Sequence, residues 1–450
     1  MPDLQEQKPL LARRSPPLGG TVCVPGDKSI SHRALILGAL AVGETTILGL
    51  LEADDVLKTA GAMRALGAEV QRDSSGTWRV WGRGVGGLSE PEDVLDFGNS
   101  GTGSRLVMGA VATTPITCVF TGDASLRKRP MSRVLEPLTR FGARYESREG
   151  GLLPATLVGT GRPIAISHEL AVASAQVKSA LLLAALNAPG RTRLVQRTLT
   201  RDHTEKMLAG FGAQILVEHA PEGGEAISLL GDAELKSCAI EVPRDPSSAA
   251  FPMVAALIVP GSKLVIPSLL LNPRRTGLIE TLLEMGARIS VRDRRESGGE
   301  EIGDIAVEFS ELNGVDVPPE RAASMIDEYP VLAVAAAFAK GKSVMHGLEE
   351  LALKESDRLT CTVKALSACG VRAEATENTM IVHGRGPGGV KGDARIATEM
   401  DHRIAMAFLT LGLASERAVS VDDASMIGTS FPGFERMVRD LGGLLAVPNR

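Results

Sequence analysis

Aromatic residues are scarce in this chain, at 3% of 450 positions, with only two Trp and two Tyr. A large core must therefore be built from Ala, Leu, Val and Ile. The 44% hydrophobic content supplies enough of them. Cysteine is equally sparse. The five residues Cys23, Cys118, Cys238, Cys361 and Cys369 are odd in number and scattered, with no CxxC pair, which argues against a disulfide framework or a zinc site. Long apolar runs are missing. The longest, Ala249–Pro260 and Pro330–Ala339, fall short of the ~20 residues a membrane helix needs. The Met1–Pro17 segment is polar and Pro-containing, unlike a secretory signal. The expected compartment is thus a reducing cytoplasm. An excess of positive charge is absent as well. The net charge of −5 argues against nucleic acid or an anionic membrane as partner, and makes any local cluster of Lys and Arg stand out.

What the chain does contain is a sixfold repeat. A hydrophobic residue, a glycine and usually an alanine recur at Leu66-Gly67-Ala68, Phe141-Gly142-Ala143, Phe211-Gly212-Ala213, Met285-Gly286-Ala287, Cys369-Gly370-Val371 and Leu441-Gly442-Gly443. Each follows a helical pattern and precedes a strand-like run, the place for a left-handed helix C-cap. About forty residues upstream of each glycine lies a polar turn that opens an apolar helix. These turns are Asp27-Lys28-Ser29, Asn99-Ser100-Gly101-Thr102, Ser174-Ala175-Gln176, Asp245-Pro246-Ser247-Ser248, Ser324-Met325-Ile326-Asp327 and Asp401-His402-Arg403. Ser, Asn and Asp are natural N-caps. The chain therefore reads as six β/α units of roughly 75 residues, each presenting one helix N-terminus at the same phase. Three units per domain would gather these ends on one side of each domain. Two such domains face to face would make a cleft that attracts anions through free N–H groups and positive dipole ends.

Several of these ends carry cations. Lys28, Ser29 and Arg33 lie in the first turns after Asp27, but no GxxxxGK[ST] loop is present. Gly98-Asn99-Ser100-Gly101-Thr102-Gly103-Ser104-Arg105 is glycine-rich, and Arg127-Lys128-Arg129-Pro130-Met131 packs three cations together. Further clusters are Arg201-Asp202-His203, Lys354-Glu355-Ser356-Asp357-Arg358 and Asp401-His402-Arg403. Taken singly, each has an ordinary structural reading: a helix cap, a solvated charged face, or an ion-pair ladder along a helix.

Taken together, PGDKSISHR (25–33), GNSGT (98–102), KRPM (128–131), SAQVKSA (174–180), SMIDEYP (324–330), LKESDR (353–358) and DHRIAM (401–406) resemble the 5-enolpyruvylshikimate 3-phosphate synthase family in content and order, over nearly the whole chain. The resemblance implies an α/β fold: a two-domain inside-out α/β barrel with six βαβαββ-type repeats, three per domain. It implies that the tail, 1–26, packs with the second domain, that 27–244 form the first three-repeat domain and 245–450 the second. The implied reaction moves the enolpyruvyl group of phosphoenolpyruvate onto the 5-hydroxyl of shikimate 3-phosphate. No metal and no organic cofactor are expected. The expected partners are these two small molecules alone, acting on a monomer.

By the same resemblance, Lys28, Ser29, Arg33, Ser174, Ala175, Gln176, Arg201, Asp327 and Lys354 would hold shikimate 3-phosphate. Lys28, Asn99, Gly101, Arg129, Gln176, Arg358 and Arg403 would hold phosphoenolpyruvate. The catalytic residues would be Asp327, Glu355 and Lys28. The chemistry suits such a set. Two phosphates at about −1.5 to −2 each, with two carboxylates, need concentrated positive charge, and Arg matches both groups through its fork. Addition followed by elimination needs an acid and a base, roles open to Glu355 and Asp327.

Some positions depart from the family pattern and resemble its divergent second class. Thr429 stands where many members have Lys, Glu350 where many have Asn, and no Tyr lies near Arg201. With Gly rather than Ala at 101, glyphosate is expected to compete with phosphoenolpyruvate. The related transferase that uses UDP-N-acetylglucosamine typically has a reactive Cys before its Arg-Pro. Here no Cys lies between Cys118 and Cys238. A non-catalytic anion-binding protein would need no paired acid and base.

Overall fold

The computed structural model describes residues 7–221, 223–232 and 234–448. The first six residues of the expected 1–26 tail segment lie outside that range, as do the last two of 245–450. The chain divides into two compact units. The first comprises Gly26–Pro243 and Glu296–Glu300; the second comprises the described residues of Met1–Pro25, Arg244–Arg295 and Glu301–Arg450.

Among the described residues each unit contains three four-stranded sheets of one pattern: a parallel pair followed by two antiparallel partners. Leu95–Asp96 runs parallel to Thr117–Thr121, which pairs antiparallel with Leu152–Val158, which pairs antiparallel with Arg144–Arg148. In the second unit two strands come from the start of the chain. Leu10–Arg13 lies between Val419–Val421 and Leu444–Ala446, and Gly19–Thr21 runs parallel to Lys263–Leu270. In the first unit, Ala239–Glu241 completes the sheet begun by Glu44–Leu48. The six repeat glycines all have positive φ, from +79° to +107°, as a left-handed cap requires.

Three largely buried helices lie at the centre of each unit, the inside-out arrangement. Every residue of Pro246–Ile258, Tyr329–Ala337 and His402–Gly412 is buried, and these three pack on one another. In the first unit Lys28–Leu40 packs on Gly101–Val111, which packs on Ala175–Ala185. Helices buried all round show no polar face, and their small residues let backbones approach. A Cβ on Gly109 would sit 2.2 Å from the Ala180 carbonyl oxygen, so only Gly fits that crossing.

Five of the six helix-opening turns are side-chain caps. Asp27, Ser100, Ser174, Asp245 and Asp401 accept from backbone N–H groups of Ile30, Gly103, Val177, Ser247 and Arg403 at 2.8 to 3.4 Å. The sixth differs from expectation. Asp327 sits in the turn between Ala322–Met325 and Tyr329–Ala337, and the cap position is Glu328, whose side chain makes no cap bond. Asp327 is thereby left to face other side chains.

Candidate active site

In the first unit two hydrogen-bonded groups form at helix N-termini. One surrounds Arg33. Its Nε donates to Thr204 Oγ1 (2.7 Å), its Nη2 to Ser179 Oγ (2.7 Å) and its Nη1 to the Ser29 carbonyl (2.9 Å). One turn earlier on the same helix, Lys28 Nζ is 2.7 Å from Asp55 Oδ2. His32, between them in sequence, is fully buried. Burial, then Lys28 and Arg33, hold its pKa well below the ordinary 6.5, so it stays neutral.

The other group surrounds Gly101. Arg129 is the only one of the three adjacent cations that turns inward; Arg127 and Lys128 are exposed. Its Nη2 donates to Asn99 Oδ1 (2.7 Å) and Ser125 Oγ (3.0 Å), and Asn99 Nδ2 donates to Asp123 (2.7 Å). From the opposite side Arg105 Nη1 donates to Gln176 Oε1 (2.5 Å), and Gln176 Nε2 donates to Thr102 (2.9 Å). A Cβ on Gly101 would lie 3.1 Å from Arg129 Nη1 and 3.2 Å from Arg105 Nη1, so the missing side chain leaves room between two guanidinium groups. Ser174 caps the helix carrying Ala175 and Gln176, and Arg201 lies half-buried just before the His203–Gly210 helix.

The second unit assembles a different cluster. Lys354–Arg358 is not the ladder along a helix that the sequence allowed. It is a turn between the 3₁₀ segment Glu349–Leu353 and the helix Arg358–Ala368. That turn lets one guanidinium, 1% exposed, reach three carboxylates. Arg358 Nε meets Asp401 Oδ2 (2.8 Å), Nη1 meets Asp327 Oδ1 (3.0 Å) and Nη2 meets Glu355. Burial works to lower the Arg358 pKa, but Asp401, Glu355 and Asp327 outweigh it and raise it above the usual arginine value. Lys354 Nζ lies 3.5 Å from Asp327 Oδ1, and Arg403 Nη1 donates to the Asp327 carbonyl at 3.1 Å and lies 3.5 Å from Glu328 Oε1. Thr429 is buried, 3.4 Å from His402 Nδ1, and Glu350 is half-buried in the 3₁₀ segment.

Thus Lys28, Ser29, Arg33, Asn99, Gly101, Arg129, Ser174, Ala175, Gln176 and Arg201 belong to the first unit, and Asp327, Lys354, Glu355, Arg358 and Arg403 to the second. The geometry adds Arg105 and Asp401, which sequence reasoning left out of the site. Arg105 follows Gly101 by four residues, so both lie on one face of a helix whose start was already identified, and that spacing was the available signal. The sequence marks Asp401 as a cap, but nothing local announces its bond to Arg358. The one group among the described residues with metal-ligand spacing is Asp202, His203 and Glu300, whose ligand atoms lie within 4.8 Å. Lys206 Nζ is 2.7 Å from Glu300 and 3.7 Å from Asp202, so an ammonium already supplies positive charge there.

Residues 12–438 match the family described as EPSP synthase (3-phosphoshikimate 1-carboxyvinyltransferase). The chain is 59% identical over 444 residues to the 3-phosphoshikimate 1-carboxyvinyltransferase of Paramagnetospirillum magneticum, covering 98% of this chain and 99% of that protein. It is 60% identical over 433 residues to the enzyme of the same name from Parvibaculum lavamentivorans, covering 96% of each. Among solved structures, an EPSP synthase from Acinetobacter baumannii superposes with a TM-score of 0.86 at 39% identity, over 98% of this chain and all of the other. The enolpyruvyl transferase NikO from Streptomyces tendae, at 18% identity and a TM-score of 0.75, shares the fold.

Proposed function

Because the chain belongs to the EPSP synthase family, we propose a division of labour between its two charged clusters in that family's reaction. The enzyme transfers the enolpyruvyl group of phosphoenolpyruvate to the 5-hydroxyl of shikimate 3-phosphate and releases phosphate, a step of the shikimate pathway toward chorismate and the aromatic amino acids.

Most of the residues that bind the anionic groups lie in the first unit. Lys28, Ser29, Arg33, Ser174, Ala175, Gln176 and Arg201, with Asp327 and Lys354 of the second unit, bind shikimate 3-phosphate. Lys28, Asn99, Gly101, Arg129 and Gln176, with Arg358 and Arg403, bind phosphoenolpyruvate. Lys28 serves both and stabilises negative charge as it moves onto phosphate. The second unit supplies proton transfer. Glu355 protonates the methylene carbon, and C2 becomes cation-like. Asp327 takes the proton of the 5-hydroxyl as its oxygen bonds to C2. The bond from C2 to the phosphate oxygen then breaks, and the new methyl group returns a proton to Glu355.

The observation that carries this reading is that Asp327 and Glu355 meet adjacent nitrogens of one buried guanidinium. Two carboxylates on one rigid fork keep a fixed separation while a proton moves at each. The test is phosphate release from phosphoenolpyruvate. Release is expected with shikimate 3-phosphate and not with UDP-N-acetylglucosamine, and glyphosate inhibition is expected to be relieved by added phosphoenolpyruvate. Release with the nucleotide sugar instead would overturn the acceptor. A cytoplasmic monomer acting without nucleic acid, membrane or cofactor is part of the same proposal; the net charge of −5 bears on nucleic acid and anionic membrane.

A further inference from the structure

The helix His203–Gly210 opens with three consecutive residues that each make a buried polar contact to a different element. His203 Nδ1 is 2.7 Å from Glu300 Oε1, in the Glu296–Glu300 segment that joins the first unit from far along the chain. Thr204 Oγ1 accepts from Arg33 Nε at 2.7 Å and lies 2.7 Å from Ser179 Oγ. Glu205 Oε1 is 2.6 Å from Lys178 Nζ, on the Ala175–Ala185 helix. Consecutive helical residues point about 100° apart, so the three contacts cannot serve one face. They tie this first turn to the 296–300 segment, to the Lys28–Leu40 helix and to the Ala175–Ala185 helix. His203, Thr204 and Glu205 are all buried, as are Ser179 and Lys178.

Hydroxyl bonds are a cheap way to aim a guanidinium without cancelling its charge. We infer that Thr204, backed by Ser179, is a positioning residue for shikimate 3-phosphate: it fixes the plane of Arg33 through Nε, and the His203–Glu300 and Glu205–Lys178 pairs keep Thr204 in place. This rests on the reading that Arg33 binds shikimate 3-phosphate. Fork recognition of a phosphate or carboxylate needs the guanidinium plane set in advance. An Arg rotated off that plane still attracts an anion but loses the paired bonds. A merely structural Thr would instead affect both substrates and turnover alike.

Steady-state kinetics of Thr204→Val, Thr204→Ser, Ser179→Ala and Arg33→Ala in the full-length chain test this. Thr204→Val keeps the shape and removes the hydroxyl. It should raise the KM for shikimate 3-phosphate about tenfold, with kcat and the KM for phosphoenolpyruvate within twofold, and Thr204→Ser should restore the wild-type value. Ser179→Ala should give the same selective rise, smaller in size, and carries the test alone if Thr204→Val does not fold. A wild-type KM in Thr204→Val or, failing that variant, in Ser179→Ala, a rise shared by both substrates, or no rescue by Ser would overturn the inference. Arg33→Ala separates the two levels. If it leaves the KM for shikimate 3-phosphate unchanged, the reading of Arg33 is wrong. If it raises that KM while Thr204→Val does not, only the positioning role fails.

Discussion

Arg33 and Arg358 are both buried arginines beside a helix N-terminus, and their side chains reach different kinds of group. Arg33 donates hydrogen bonds to two hydroxyls and a carbonyl. Arg358 makes ion pairs with Asp401, Asp327 and Glu355. A guanidinium held by neutral dipoles still projects positive charge toward an anion. One held by three carboxylates also fixes those carboxylates, and an arriving anion must compete with them. The first unit is thereby suited to binding and the second to proton transfer, although both grew from the same repeat.

The sharpest way to break this comparison is through the carboxylates. Glu355→Gln and Asp327→Ala should each lower kcat by about 10²- to 10⁴-fold, with shikimate 3-phosphate binding by calorimetry changed only a few-fold. A variant that keeps near-normal turnover would remove that residue from proton transfer. Stability offers the next test. Replacing Arg358 with Leu strands three carboxylates around a site that was fully buried, and should cost about 3–5 kcal/mol in urea unfolding. Arg33→Leu removes the donor to two hydroxyls and a carbonyl, and should cost about 1–3 kcal/mol. Equal losses would mean that the two arginines are held alike after all.

The smallest effect concerns pH. His32 has its pKa lowered by burial and by Lys28 and Arg33, so the unfolded chain takes up its proton first as pH falls. Its contribution to stability is complete above the ordinary value of 6.5 and is lost progressively below it. Urea midpoints measured from pH 8 to pH 5 should therefore fall in wild type, and fall less in His32→Gln. An unchanged pH slope in that variant would show that His32 is not the group responsible.

Much of this site could be read along the chain, and the parts that could not share a physical cause. The five caps were legible because a cap is local: Asp27 reaches Ile30, and Ser174 reaches Val177. The left-handed glycines were legible for the same reason. The bond from Arg358 to Asp401 spans 43 residues, and that from Arg33 to Thr204 spans 171. No spacing rule covers such distances. Arg127, Lys128 and Arg129 look alike in sequence, yet a 3₁₀ turn buries only the third.

By itself the sequence determined the repeat, the helix starts and stops, the alanine-rich core and the residue types that could meet two multiply charged substrates, because those features depend on neighbours within a turn or two. Only the tertiary structure decided which charges are held by hydroxyls and which by carboxylates, that Asp327 escapes capping, and that Glu296–Glu300 belongs to the first unit. Those outcomes depend on which distant side chains share a low-dielectric space, and in such a space an ion pair and a neutral hydrogen bond lead to different chemistry.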